Sequence, residues 1–213
     1  MDNDNMLSNE AISYGYGNEV TSPGFFRPAD FIATDVPDAS YQVYNNMYDT
    51  RYYENLQRSS STDFKINKYA TNAATINLSA STSDELSVSY GSPYREKYCS
   101  ANWIIYRLTD IMLMKAEALV QLASEDAGAD DPRLSEAFDL VNAVNLRSNC
   151  DKNKTAVLDR TLYTTKSTMN NLVMAERQRE LMFEGKRWFD LVRRARRENN
   201  TDYLIEQVKR KYT

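Results

Sequence analysis

The 213-residue chain contains no histidine, which removes the usual general base, the usual activator of a nucleophile and the commonest metal ligand at once. It has only two cysteines, Cys99 and Cys150, too far apart in sequence for a metal-ligand spacing. Two thiols or one disulfide are both compatible with them, and thiols are favoured. No apolar run approaches the length of a membrane-spanning helix. The opening residues MDNDNMLSNEAISYGYG have neither the basic start nor the apolar run of an export signal. There is no glycine-rich phosphate loop and no nucleophile elbow. These absences count against an enzyme that relies on a histidine base, a phosphate-binding loop or a serine nucleophile elbow, and we expect no cofactor and no metal.

Charge is unevenly spread. The net charge is −4. Residues 1–159 carry −10 and residues 160–213 carry +6. A basic end raises the possibility of nucleic acid. However, its cations are interleaved with Glu176, Glu180, Glu184 and Asp190, and an acidic remainder of the same fold can receive them. Arg193, Arg194, Arg196 and Arg197 then read as a solvated helix end, where cations are favourable. No nucleic-acid partner is expected.

The chain changes character near residue 103. The first hundred residues are rich in Tyr, Asn, Ser and Thr, and are broken at Pro23, Gly24, Pro28, Pro37, Gly91 and Pro93. Ser59–Thr62 and Ser79–Ser83 read as exposed loops, Phe64–Tyr69 as a short strand and Tyr41–Leu56 as a helix candidate. Trp103–Leu119 has a wide apolar face built on Ile104, Ile105, Leu108, Ile111, Met112 and Leu119, with Lys115 and Glu117 outside it. After the acidic turn Glu125–Asp131, Asp131 caps a second helix with Pro132 at its first position. That helix runs to about Arg147 and buries Leu134, Phe138, Val141 and Val144. A short connection makes the two helices antiparallel, as in one tetratricopeptide unit. A third helix is predicted over roughly Thr168–Arg196, and a shorter one after Thr201 with Tyr203, Leu204 and Val208 as its apolar residues.

Within the third helix the string ERQRELMFEGKRWFDLVRR, Glu176–Arg194, carries two stripes. Leu181, Trp188, Leu191, Val192 and Ala195 form an apolar one. Glu176, Glu180 and Glu184 form an acidic ladder at i,i+4 spacing, which repels itself unless cations dock against it. Arg107 and Arg147 are the expected cations, making charge-assisted hydrogen bonds that fix helix register. The place of Trp188 in the apolar stripe favours core over a ligand platform. Gly185, mid-helix, costs about 1 kcal/mol against alanine, which close helix contact would explain.

Six segments in order resemble the C-terminal region of the SusD/RagB family of bacterial outer-membrane nutrient-binding lipoproteins. They are Gly24–Phe31 (GFFRPADF), Asp49–Leu56 (DTRYYENL), Phe64–Tyr69, the Trp103–Leu119 helix with Arg107, Asp110 and the Ala116–Glu117–Ala118 string, Asn142–Arg147, and Glu176–Asp190. Departures occur at Thr50, Leu108, Thr109, Asn145 and Lys186, which stand where the family pattern has other residues. The matching segments read as scaffold, and so do Arg107, Glu117, Arg147, Glu176, Glu180, Glu184 and Trp188.

The resemblance implies a mainly α, tetratricopeptide-like helical scaffold (103–213) carrying a loop-rich, ligand-facing segment with short strands (1–102), together one domain. A family member begins with an export signal and a lipid-bearing cysteine. These residues are therefore expected to be the C-terminal part of a longer protein, anchored at the outer-membrane surface through a lipid that this chain does not carry. The implied function is non-catalytic capture of oligosaccharides for a TonB-dependent transporter. Aromatic rings suit the apolar faces of sugars, and most of the 15 tyrosines precede residue 107. The first candidates for ligand contact are Tyr14, Tyr16, Phe25 and Phe26, with Arg27 as a polar partner. Tyr90, Tyr94 and Tyr98 come second. Extended peptides would suit the same loops. A glycoside hydrolase needs two carboxylates across a sugar, but Glu180 and Glu184 lie among arginines, whose pairing spoils a general-acid role.

Overall fold

The computed structural model describes residues 28, 43–44, 48–58, 64–68, 74–78, 86–90, 103–150 and 158–210. The chain divides into two units, Met1–Ile104 and Ile105–Thr213.

In the first unit, Asp49 caps helix α1 (Thr50–Asn55), its carboxylate accepting the Arg51 backbone N–H at 3.1 Å. Only this part of the predicted Tyr41–Leu56 helix is helical among the described residues. Strand β1 (Leu56–Arg58) follows directly and pairs antiparallel with β2 (Phe64–Ile66), placing Leu56 opposite Ile66. Strands β3 (Ala74–Leu78) and β4 (Leu86–Tyr90) form a second antiparallel pair, with Ile76 opposite Val88. In β4, Leu86, Val88 and Tyr90 are half-buried while Ser87 and Ser89 are exposed, the alternation a one-sided strand requires. This pair was not anticipated, although ATINL and LSVSY both carry the period-two pattern.

The second unit is helical. Helix α2 spans Leu108–Leu122, starting five residues later than its apolar pattern predicted. Arg107 is extended, with φ −148° and ψ 163°. This shift rotates the expected face. Ile105, Leu108 and Ile111 are exposed, and the buried side consists of Leu113, Ala116 and Val120 with Thr109, Asp110 and Glu117. Glu117 is thus interior, contrary to the sequence reading. Helix α3 spans Pro132–Arg147, capped by Asp131 on the Arg133 N–H at 2.8 Å. Its buried residues are the predicted Leu134, Phe138, Val141 and Val144, joined by Ala137. Helix α4 (Lys166–Glu180) opens with a reciprocal cap between Thr165 and Thr168 and packs on both α2 and α3.

The predicted single helix over 168–196 is two. Helix α4 stops at Glu180, and α5 begins at Arg187 and ends at Glu198. Between them Phe183 and Gly185 adopt left-handed backbone, with φ 63° and 72°. Gly185 therefore serves a reversal and not a helix contact. Helix α5 closes on Asn199, also left-handed, and α6 covers Asp202–Lys209. Gly185→Ala is expected to destabilise the protein by about 1–2 kcal/mol, the cost of holding a Cβ in the left-handed region. Urea unfolding measures this, and an unchanged midpoint would show that the turn does not require glycine.

Candidate functional site

Of the residues singled out for ligand contact, Tyr14, Tyr16, Phe25, Phe26, Arg27, Tyr94 and Tyr98 lie outside the described residues. Tyr90 is described. Its hydroxyl donates towards the Tyr53 carbonyl at 3.2 Å and the Leu56 carbonyl at 3.1 Å, tying β4 to the α1–β1 junction. Burial, with the neighbouring Tyr52 second, pushes its pKa up to about 12. Nearby, Tyr44, Tyr52 and Tyr53 meet edge to face, with centroids 5.8 and 5.0 Å apart. The Asn55 amide donates to the Tyr44 hydroxyl at 2.8 Å. The Arg51 guanidinium lies buried against Asp49 through bonds of 2.8 and 2.7 Å. The family-like DTRYYENL segment thus holds a buried ion pair and supplies two tyrosines of a cluster that Tyr44 completes.

The second unit concentrates its ionic groups around the turn between α4 and α5. Glu176, Glu180 and Glu184 are all buried, the first two on α4 and the third in the turn. Arg107 reaches both lower rungs: it bonds the Glu180 carboxylate, and the Glu184 carboxylate at 2.9 Å. It also donates to the Glu180 carbonyl, one of the orphan acceptors at the α4 C-terminus. Burial draws the Arg107 pKa down, but the bonds to Glu184 and Glu180 outweigh it and hold the value above normal. Arg147 bonds Glu180 through 2.8 and 2.9 Å contacts from the other side. Glu176 takes its cation from its own helix, Arg179 at 2.8 Å. Asn145, standing where the family pattern has arginine, donates to Glu176 at 3.2 Å. The ladder is a clamp that joins Arg107, the extended residue just before α2, to α3 and α4.

A second cluster is built on Arg177 and Glu117. Arg177 donates to Asp190 at 3.0 and 2.9 Å and to Asp110 at 3.1 Å, all three side chains being almost wholly buried. Glu117 accepts Arg193 at 3.0 and 2.6 Å and Arg197 at 2.8 Å. Burial alone would raise the Glu117 carboxyl; the bonds from Arg193 and Arg197 outweigh it and hold it below the usual carboxylate range. Arg193 in turn is held above its ordinary value, chiefly by its bond to Glu117. Arg193 and Arg197, read from sequence as a solvated helix end, are therefore engaged with the interior.

Trp188 corrects the sequence reading. It is 57% exposed, as is the adjacent Phe189 at 67%. The stripe that placed Trp188 in the core assumed one continuous helix, and the turn at 181–186 breaks its phase. Lys186 bridges this edge to the residues before α2, donating to the Ile105 carbonyl and lying 4.4 Å from the centre of the Tyr106 ring. Among the described residues no group of three or more acidic or cysteine side chains is arranged to hold a metal ion. No described helix is long and apolar enough to cross a membrane.

Comparison with known proteins places these features in a family. The chain is 29% identical over 174 residues to SusD-like protein P38 of Formosa agariphila, a stretch covering 76% of this chain and 29% of that protein. It is 32% identical over 94 residues to SusD-like protein P2 of the same organism, covering 44% and 17% respectively. The chain therefore spans less than a third of the length of these curated relatives. No solved structure matches it. Residues 2–212 match the family model described as the SusD family, and the chain belongs to that family.

Proposed function

We propose that this chain is part of a cell-surface lipoprotein that binds oligosaccharides without chemistry and passes them to a TonB-dependent transporter. The observation that carries this reading is the family match across residues 2–212. The resemblance to the SusD/RagB family implies a binding protein that works with such a transporter. In this reading Ile105–Thr213 is the scaffold, while the tyrosine-rich segment before residue 103 faces the ligand. Tyr14, Tyr16, Phe25 and Phe26 stack on sugar rings, Arg27 bonds hydroxyls, and Tyr94 and Tyr98 add to the surface. The hydroxyl bonds of Tyr90 favour a supporting part for that residue beneath the ligand-facing segment.

The ionic geometry favours binding over glycoside hydrolysis. Glu180 and Glu184 are both committed to Arg107, and their side chains are only 1% exposed. Their oxygens are taken up by guanidinium groups and are not presented to solvent. Purified protein is expected to be retained on polysaccharide, and Tyr14→Ala/Tyr16→Ala and Phe25→Ala/Phe26→Ala are expected to weaken retention. Truncating an anchoring aromatic costs about 1–2 kcal/mol, or roughly 5- to 30-fold in affinity. Capture of an extended-peptide library with no glycan retention would move the ligand to oligopeptides. Release of reducing sugar would replace the binding reading by an enzymatic one.

A further inference from the structure

The apolar core of the second unit ends before its last two helices. Its buried cluster comes from α2, α3 and α4, centred on Leu113, Val120, Phe138, Val141 and Val173. Among the described residues, none from α5 or α6 belongs to it. Helix α5 buries only Leu191 and Ala195 among its apolar side chains, and α6 buries no residue at all. Beyond these two side chains, what fastens α5 is polar. Arg193 and Arg197 close on Glu117 of α2, and Asp190 closes on Arg177 of α4. Asn170 of α4 accepts from Arg197 at 3.3 Å and donates to Glu198 at 3.2 Å. Helix α6 is fastened to α5 in its turn. The Arg194 guanidinium stacks 4.0 Å from the Tyr203 ring centre, and Arg187 donates to Gln207 at 3.2 Å.

We propose that α5 and α6 form an ion-latched flap that opens as one unit on a folded α2–α4 core, with Glu117 as the latch. A segment with few buried apolar contacts opens at a free energy below that of global unfolding. Here the closing force is charge pairing, so opening responds to the charge on Glu117. That carboxylate faces Arg177 from α4 and Arg193 and Arg197 from α5. Asp190 shares Arg177 and Arg193 with it, and Asp110 shares Arg177 and takes Lys186. Protonating Glu117 leaves three guanidinium groups with one fewer anion. Because its carboxyl titrates below the usual range in the closed form, the latch is fully set above the ordinary carboxylate pKa. It weakens as pH falls through the lower, closed-state value.

Amide hydrogen exchange read helix by helix on the whole chain tests this. At neutral pH, amides of 187–209 are expected to exchange at least tenfold faster than those of α2–α4. Glu117→Gln should speed the flap a further tenfold or more while α2–α4 changes less than twofold. Arg197→Gln, on the outer side of the latch, reads the same contact if Glu117→Gln does not fold. Val141→Ala should do the reverse, speeding α2–α4 and leaving the flap's own opening unchanged. Equal protection across all the helices, an equal response of all helices to Glu117→Gln or Arg197→Gln, or no response of the flap would overturn the proposal.

Discussion

Arg107→Ala is expected to lower the melting temperature by roughly 6–20 °C. Two carboxylates with 1% side-chain exposure share this guanidinium, which is itself 26% exposed. Taking the cation away leaves charge in a place that water reaches poorly. Breaking a buried pair in this way costs about 3–5 kcal/mol. For a chain of this size each kcal/mol corresponds to about 2–4 °C. Arg107→Ala also removes the donor on the Glu180 carbonyl, loosening the α4 C-terminus just where the chain must turn. Arg147→Ala is the internal comparison. Its side chain is 54% exposed, and Glu180 keeps Arg107 when it is removed. Its effect should be distinctly smaller. A thermal melt followed by circular dichroism ranks the two, and an unchanged melting temperature for Arg107→Ala would show that the clamp contributes nothing to stability.

The same residues show what a sequence can and cannot disclose. The α3 helix was legible in full because its signals were local: Asp131 and Pro132 start it, and a clean 3.6-residue stripe fills it. The acidic ladder drew attention to Arg107 and Arg147 because stacked like charges need cations. The partner of Glu176 was harder to see, since Asn145 sits where a cation was expected and Arg179 supplies the charge from one turn along the same helix. The break at 181–186 was illegible because Phe183, an aromatic, takes a left-handed backbone that only Gly185 advertised. Missing it put Trp188 in the core and Arg193 and Arg197 in solvent. Glu117 was misplaced for a related reason. The richest apolar run, around Ile104–Ile111, is not the buried side of α2, and the buried side is instead set by which residues meet α4 and α5. Long-range pairing decided these positions, and single-helix periodicity carries no record of it.

Arg177 provides the second large effect and separates two meanings of a buried ion cluster. Its side chain is 3% exposed and holds Asp110 and Asp190, each 2% exposed, from opposite sides. Arg177→Met is expected to cost about 3–5 kcal/mol, because two carboxylates lose the central cation while staying buried. Lys186 at 3.3 Å from Asp110 and Arg193 at 2.8 Å from Asp190 moderate the loss without replacing it. Adding Asp110→Asn and Asp190→Asn to Arg177→Met removes the stranded charge and keeps the shapes. If desolvation dominates, the triple variant regains at least half of the lost stability in urea unfolding, since a neutral filling of such a site is often as stable as the ions it replaces. If the triple variant is less stable than Arg177→Met, the ion pairs themselves supply net stabilisation. In that case the α5 attachment owes its strength to charge beyond what apolar contact through Leu191 and Ala195 gives. The first outcome assigns the cluster to positioning: Arg177 fixes where α5 lies against α2 and α4, and the cost of burying it is offset by the rest of the fold.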